Sequence, residues 1–183
     1  MQLGFYLDTE RCVGCYTCTV ACKNWNNLAP KTSATPGVQG PKWRRVLSVE
    51  SGSYPNAEIV KLSLGCQHCG KPACVGVCPT GALSKRADDG VVVVDQNKCI
   101  GCRYCLFACP FGAPQYGEEG TMQKCNLCLG RLAEGKKPAC VDSCPAKALH
   151  AGSLDDLAKL ASGKAAQRLA GATLPSLILS TAK

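Results

Sequence analysis

Sixteen of the 183 residues are cysteine, and they fall into four groups of four. The first is Cys12-x2-Cys15-x2-Cys18-x3-Cys22. The second is Cys66-x2-Cys69-x4-Cys74-x3-Cys78, the third Cys99-x2-Cys102-x2-Cys105-x3-Cys109, and the fourth Cys125-x2-Cys128-x11-Cys140-x3-Cys144. Proline follows the last cysteine of groups two, three and four, as Pro79, Pro110 and Pro145. Thiolates are soft ligands, and three of them two residues apart on one loop can reach three corners of a [4Fe–4S] cube, while the fourth serves a neighbouring cube. Small residues between the ligands, such as Gly14, Ala21 and Gly101, let the backbone approach closely. Sixteen thiolates shared four to a cube give four cubes with none left over.

Two other chemistries compete for cysteine at this density. A zinc site closes with four ligands, usually two separated C-x2-C pairs, and leaves the third cysteine of groups one and three without a task. A disulfide framework needs an oxidising compartment, and the opening Met1-Gln-Leu-Gly-Phe-Tyr-Leu-Asp8 has neither the basic region nor the apolar run of an export signal. No stretch approaches the ~20 apolar residues of a membrane span. The expectation is a cytoplasmic chain with reduced cysteines, export on a partner's leader remaining open. The balance of 21 basic against 13 acidic residues, +8, would suit nucleic acid, but a cube with four thiolates carries about −2, so four of them offset about −8. Lys71, Lys98, Arg103, Lys124, Arg131, Lys136 and Lys137, all near ligands, are read as counter-charge, and nucleic acid is excluded as a partner. Triads, phosphate loops and dinucleotide fingerprints are absent, and no catalytic residue is expected. A radical-type enzyme would need a C-x3-C-x2-C loop, which is also missing.

The elements that position these ligands repeat. Val92-Val-Val-Asp95-x3-Cys99-x-Gly101-Cys102 echoes Phe5-Tyr-Leu-Asp8-x3-Cys12-x-Gly14-Cys15, and Cys78-Pro79-x2-Ala82-Leu83 echoes Cys144-Pro145-x2-Ala148-Leu149. The unit reads as a short strand, a cluster loop and a short helix opened by Cys-Pro, where proline suits the first turn. Asp88-Asp-Gly90 reads as a hairpin turn into Val91–Asp95. Groups two and three are close enough for one continuous two-cluster unit, around which groups one and four would pair. The fold expected is α+β: two bacterial-ferredoxin-like 2×[4Fe–4S] modules, one inserted into the other, with short strands, short helices and a C-terminal tail. The outer module takes 1–30 plus 119–150 and the inserted module 60–118. The swapped fourth ligand then assigns Cys12, Cys15, Cys18 and Cys144 to cluster 1; Cys22, Cys125, Cys128 and Cys140 to cluster 2; Cys66, Cys69, Cys74 and Cys109 to cluster 3; and Cys78, Cys99, Cys102 and Cys105 to cluster 4. A sequential pairing, group one with two and three with four, is the competitor.

Between the ligands, 31–59 is an insertion. Pro30, Pro36, Gly37, Gly40 and Pro41 mark an irregular loop, followed by a strand around Lys42–Val49 whose hairpin partner is Ile59–Leu64. Trp43, Arg44 and Arg45 are either anchors of a docking face, given the usual enrichment of Trp and Arg at interfaces, or a cluster cover with solvated arginines. In 151–183, Ser153-Leu-Asp-Asp156 signals a helix start, a second helix is expected over Lys164–Leu169, and Leu174–Leu179 is an extended arm. That tail either packs on its own core or grips a partner. His68, inside a cluster loop, is expected to donate a hydrogen bond to cluster sulfur; His150 is the only other histidine.

Cys99-Ile-Gly-Cys-Arg-Tyr-Cys105, Ala108-Cys-Pro-Phe-Gly-Ala-Pro114, Lys124-Cys-Asn-Leu-Cys128 and Glu134-Gly-Lys-Lys-Pro-Ala-Cys140 resemble the four-cluster iron–sulfur subunits of the dimethyl sulfoxide reductase superfamily, over about residues 3–150. The resemblance implies the nested pairing, four [4Fe–4S] clusters, and a non-catalytic subunit relaying single electrons. Its implied partners are a catalytic molybdenum or tungsten pterin subunit, for example a dimethyl sulfoxide reductase-type enzyme or an aldehyde oxidoreductase, and a further redox subunit or carrier. Self-association into longer electron-transfer chains is conceivable. The alternatives are an electron-transfer subunit of a hydrogenase or carbon monoxide dehydrogenase system, or a free polyferredoxin carrier.

Overall fold

The computed structural model describes residues 1–29 and 40–180. In chain order its elements are β1 (Leu3–Leu7), α1 (Thr17–Trp25), β2 (Arg45–Ser51), β3 (Glu58–Leu64), α2 (Ala73–Gly76), β4 (Leu83–Lys85), β5 (Val92–Val94), α3 (Tyr104–Ala108), β6 (Gln115–Tyr116), β7 (Met122–Gln123), α4 (Leu129–Ala133), α5 (Ala139–Asp142), β8 (Leu149–Ser153), α6 (Leu154–Ala161), β9 (Ala166–Arg168) and β10 (Leu177–Ser180). The result is a small mixed α/β chain of short elements. Most of the proline- and glycine-bearing loop read from sequence, 30–39, lies outside the described residues.

Helix lengths follow from proline. In all four groups the third cysteine (Cys18, Cys74, Cys105, Cys140) is the second residue of its helix, and the fourth cysteine lies four positions on. The expectation that Cys-Pro opens a helix is therefore corrected: α2, α3 and α5 precede it and stop there. A residue before proline is pushed out of the helical region into the extended one, and Cys109, at φ −88° and ψ 111°, shows this directly. Group one has Lys23 instead of proline after Cys22, and α1 runs on for nine residues. In α1 the two cysteines at i and i+4, Cys18 and Cys22, share one helix face a turn apart, whereas Cys78, Cys109 and Cys144 lie just past the ends of α2, α3 and α5. α1 packs on α5 and α2 on α3.

Strand alternation builds the supporting sheet, ordered β8-β1-β10-β9. β1 runs antiparallel to β8 (Phe5 opposite Ala151) and parallel to β10 (Phe5 opposite Leu177). Successive side chains point to opposite faces. Phe5, Leu7 and Leu177 thus enter the cysteine-bearing core, while Tyr6 and Ile178 face Leu157 and Ala161 of α6. α6 begins at the expected cap, Ser153 Oγ accepting from Asp156 N at 3.1 Å. The expected second helix is instead β9: Gly163, at φ 91°, ends the helical run, and the following residues pair with β10. β10 sits between β1 and β9, so Leu177–Ser180 are used inside the chain's own sheet. The tail also straps the second cysteine loop, with Ser176 N on Gln67 O at 2.9 Å and Gly70 N on Leu174 O at 2.7 Å.

Three hairpins complete the scaffold: β2–β3, with Arg45 opposite Leu64, β4–β5 and β6–β7. The first two match the sequence reading, Gly90 supplying the positive φ that the Asp88-Asp89-Gly90 turn requires.

Gly4 marks the tightest approach in the sheet, since a Cβ there would lie 2.3 Å from the Ser176 carbonyl oxygen. Gly4→Ala must push β1 away from the segment leading into β10, at a cost of about 1–3 kcal/mol. Anaerobic denaturant unfolding of the loaded chain should show a lower midpoint. An unchanged midpoint would contradict this packing.

Candidate metal centres

All sixteen cysteines carry free thiols. Their loops turn through left-handed residues at equivalent places: Gly14 and Tyr16 in group one, Gly101 and Arg103 in group three. Such turns orient successive backbone N–H groups into concave anion-binding surfaces. Met122 N donates to Cys99 Sγ at 3.3 Å, Leu127 N to Cys125 Sγ at 3.4 Å and Ala148 N to Cys144 Sγ at 3.4 Å.

The thiols gather around hollows. Cys12, Cys15, Cys18 and Cys144 line one of about 360 Å³, closed by Leu7, Val46 and Leu149 and partly open to solvent. Cys78, Cys99, Cys102 and Cys105 line another of about 320 Å³, closed by Leu83, Val94 and Met122. The other eight are felt electrostatically by one another. Burial, with Cys140 and Cys128 adding to it, pushes the Cys22 thiol up to about 12 against the opposing pull of Arg44. Burial likewise lifts Cys74 to about 12, with Cys66, Cys109 and Cys69 adding to it and Lys124 opposing. Cys125, raised by burial, feels Cys140, Cys22 and also Cys66. Among the described residues no three His, Cys, Asp or Glu side chains converge on the position of a single ion; the thiols surround space instead.

Buried charge supplies the test of fit. Arg44 is 1% exposed and Lys124 3% exposed, and neither takes part in any ion pair among the described residues. A buried, unpaired cation costs several kcal/mol. Lys124 Nζ is satisfied by the carbonyls of Val92 and Cys125. Arg44 Nη1 bonds Ser63 O at 3.1 Å, but its Nε and Nη2 have no acceptor. His68 is fully buried, and its Nδ1 accepts from Val92 N at 3.1 Å. Burial, then Lys124, Arg44 and Lys85, hold its pKa well below the ordinary value, so the ring is neutral with its proton on Nε2, which is also unpartnered. Orphaned donors and unpaired cations among sixteen thiols fit anionic iron–sulfur groups.

Sequence reasoning placed Trp43, Arg44 and Arg45 on a docking face or over a cluster with solvated arginines. All three are turned into the chain: Trp43 Nε1 donates to Gln123 Oε1 at 3.0 Å, and Arg45 donates to the carbonyls of Gly112 and Phe111. Of the seven basic residues read as counter-charge, Lys124 is buried, whereas Lys98, Arg131 and Lys136 pair with Asp95, Asp142 and Glu134. Sequence reasoning also missed hydroxyls beside the thiols. Ser63 Oγ lies 3.2 Å from Cys18 Sγ, Tyr116 Oη 3.2 Å from Cys105 Sγ, Thr17 Oγ1 3.4 Å from Cys15 Sγ and Thr80 Oγ1 3.7 Å from Cys78 Sγ. Alternation in Ile59–Leu64 sets Ser63 on the face of Lys61, opposite Leu62 and Leu64, so no pattern in the sequence marked it.

These loops, thiols and buried donors define a ferredoxin-type iron–sulfur protein. The 4Fe-4S dicluster domain family matches residues 57–154, and a 4Fe-4S binding domain matches residues 3–24. The sequence is 48% identical to a component polypeptide of the anaerobic dimethyl sulfoxide reductase of Escherichia coli (strain K12), covering 86% of this chain and 77% of that one. It is 43% identical to a subunit of the sulfite dehydrogenase of Allochromatium vinosum, over 85% and 70%. It is 37% identical to the formate dehydrogenase iron-sulfur subunit of Wolinella succinogenes, over 93% and 90%. The chain belongs to this family of 4Fe-4S dicluster iron–sulfur subunits, and it is an electron-transfer protein carrying four [4Fe–4S] clusters.

Anaerobic purification should return about sixteen iron and sixteen acid-labile sulfide per chain. Iron without sulfide, or about twelve iron, would contradict four complete cubes.

Proposed function

We propose that the chain is a non-catalytic relay in which the clusters are held by the nested set: Cys12, Cys15, Cys18 and Cys144; Cys22, Cys125, Cys128 and Cys140; Cys66, Cys69, Cys74 and Cys109; Cys78, Cys99, Cys102 and Cys105. The observation that carries this is the lining of the two end hollows, each by three cysteines of one group and the last cysteine of another. The outer module is 1–30 with 119–150 and the inserted one 60–118. α1 and α5 bridge the first two sets, α2 and α3 the last two, and the proximity of Cys125 to Cys66 supports contact between modules.

Bound clusters supply one-electron acceptance and release. The chain's own residues hold their thiolates, screen the interior from water with Phe5, Leu7, Leu127 and Leu149, and leave Cys15 and Cys102 exposed. Val13 and Tyr16 flank Cys15, and Ile100 and Tyr104 lie beside Cys102, all more than half exposed. These two loops are the faces through which partners exchange electrons.

The relatives are subunits of dimethyl sulfoxide reductase, sulfite dehydrogenase and formate dehydrogenase, which supports a catalytic molybdenum or tungsten oxidoreductase at one face and a further redox subunit or carrier at the other. Within the 31–59 insertion the docking hairpin is β2–β3, with exposed Leu47, Val49, Tyr54 and Ile59 on its strands and tip. No described helix is long and apolar enough to cross a membrane, and the placement proposed is cytoplasmic.

Two measurements test this. EPR of Cys22→Ser should lose the same cluster signal as Cys140→Ser; loss of the signal that Cys74→Ser removes would establish the sequential pairing instead. Native anaerobic purification should retain stoichiometric molybdenum or tungsten with the chain. Nickel in its place, or a lone chain with iron only, would overturn the partner assignment.

A further inference from the structure

Arg44 is the most unusual charge in the molecule. Its guanidinium is buried just ahead of β2, with its carbon 4.3 Å from the centre of the Phe5 ring. Nη1 bonds both the carbonyl and the hydroxyl of Ser63, at 3.1 and 3.3 Å, and that hydroxyl lies 3.2 Å from Cys18 Sγ. Nη2 packs against Gly65, where a Cβ would come within 3.3 Å of it. Nε and Nη2 lack acceptors. Burial alone would lower the pKa of Arg44, but the thiols of Cys140, Cys125, Cys18 and Cys22 hold it above its ordinary value. One of those thiols belongs to the first ligand set and three to the second. The group is thus a fixed fork with two spare donors, held by Phe5 and Ser63 where the two outer sets meet.

We infer that Arg44 is a positioning residue for electron relay: its Nε–H and Nη2–H donate to sulfur of both outer clusters, and its charge raises their reduction potentials relative to those of the inserted module. The inference rests on the ligand assignment above. Its sign follows from charge. A reduced cluster is one unit more negative than an oxidised one, and a nearby buried cation stabilises it with little screening. Hydrogen bonds to cluster sulfur act in the same direction. Lysine would keep the charge but lose the planar fork.

The test is potentiometric EPR on the full chain with its native partner, comparing wild type, Arg44→Gln and Arg44→Lys. The outer signals are those that Cys18→Ser and Cys140→Ser remove. Arg44→Gln should lower the reduced-to-oxidised ratio of both outer clusters at least tenfold at fixed potential, about 59 mV for a one-electron couple, and leave the inner two unmoved. Arg44→Lys should recover most of that shift while altering the line shapes. Unchanged outer potentials, or shifts confined to the inner signals, would overturn the inference. Failure of the ligand assignment is separate: it appears as Cys22→Ser and Cys140→Ser removing different signals. Should Arg44→Gln lose iron, pulsed EPR of unmutated protein labelled with ¹⁵N-arginine decides. A ¹⁵N coupling on the outer signals is expected, and its absence there would overturn the proposal.

Discussion

Charge compensation inside a small protein is the constraint on which this structure depends. Seven buried thiols, with most of the other nine only partly exposed, crowd an interior that also contains Arg44 and Lys124 without carboxylate partners. Taken alone, either half is unfavourable. Packed thiols raise one another's pKa, as Cys22 and Cys74 show, and unpaired buried cations are costly. Iron reverses the first problem, because a coordinating thiol is deprotonated outright. The resulting anionic clusters solve the second. The chain has only 5% aromatic residues, and the clusters take the place of large side chains in its interior.

Helix geometry distributes those clusters. Placing the third cysteine second in a helix and the fourth four positions on makes each of four helices a rung between two cysteines of one group. Proline after the fourth cysteine keeps three of the rungs to four or five residues, short enough for the chain to turn back into a hairpin or the supporting sheet. That sheet ties the two ends of the chain together, with Thr9 Oγ1 donating to the Ser180 carbonyl at 2.8 Å. The tail then reaches the second cysteine loop through Ser176, whose hydroxyl donates to His68 O at 3.0 Å.

Features set by local chemistry were legible in the sequence: the ligand spacings, the Asp88-Asp89-Gly90 turn, the β2–β3 hairpin and the Ser153 cap. Helices misplaced relative to Cys-Pro reflect two local rules in competition, the suitability of proline for a first turn and its restriction on the residue before it. The extended run within Leu174–Leu179 was anticipated, but β9 and the place of β10 in the sheet were not, because β10 depends on pairing with β1 from the far end of the chain. Arg44 was misread for a related reason. Beside a tryptophan, arginine resembles an interface anchor, and its burial depends on Phe5 and Ser63 and on thiols from groups one and four, none of them near it in sequence. His68 sat inside a recognised loop, but its full burial and its Nδ1 contact with Val92 N depend on β5, distant in sequence.

The most direct measurement is anomalous diffraction at the iron edge from crystals of the loaded chain. The account predicts four iron-rich peaks: one against Cys12, Cys15, Cys18 and Cys144, one against Cys78, Cys99, Cys102 and Cys105, and two between them, with Arg44 lying between the Cys12 peak and the neighbouring peak against Cys22, Cys125, Cys128 and Cys140. Fewer than four peaks, or a peak bridging Cys12, Cys15 and Cys18 to Cys78, would contradict it.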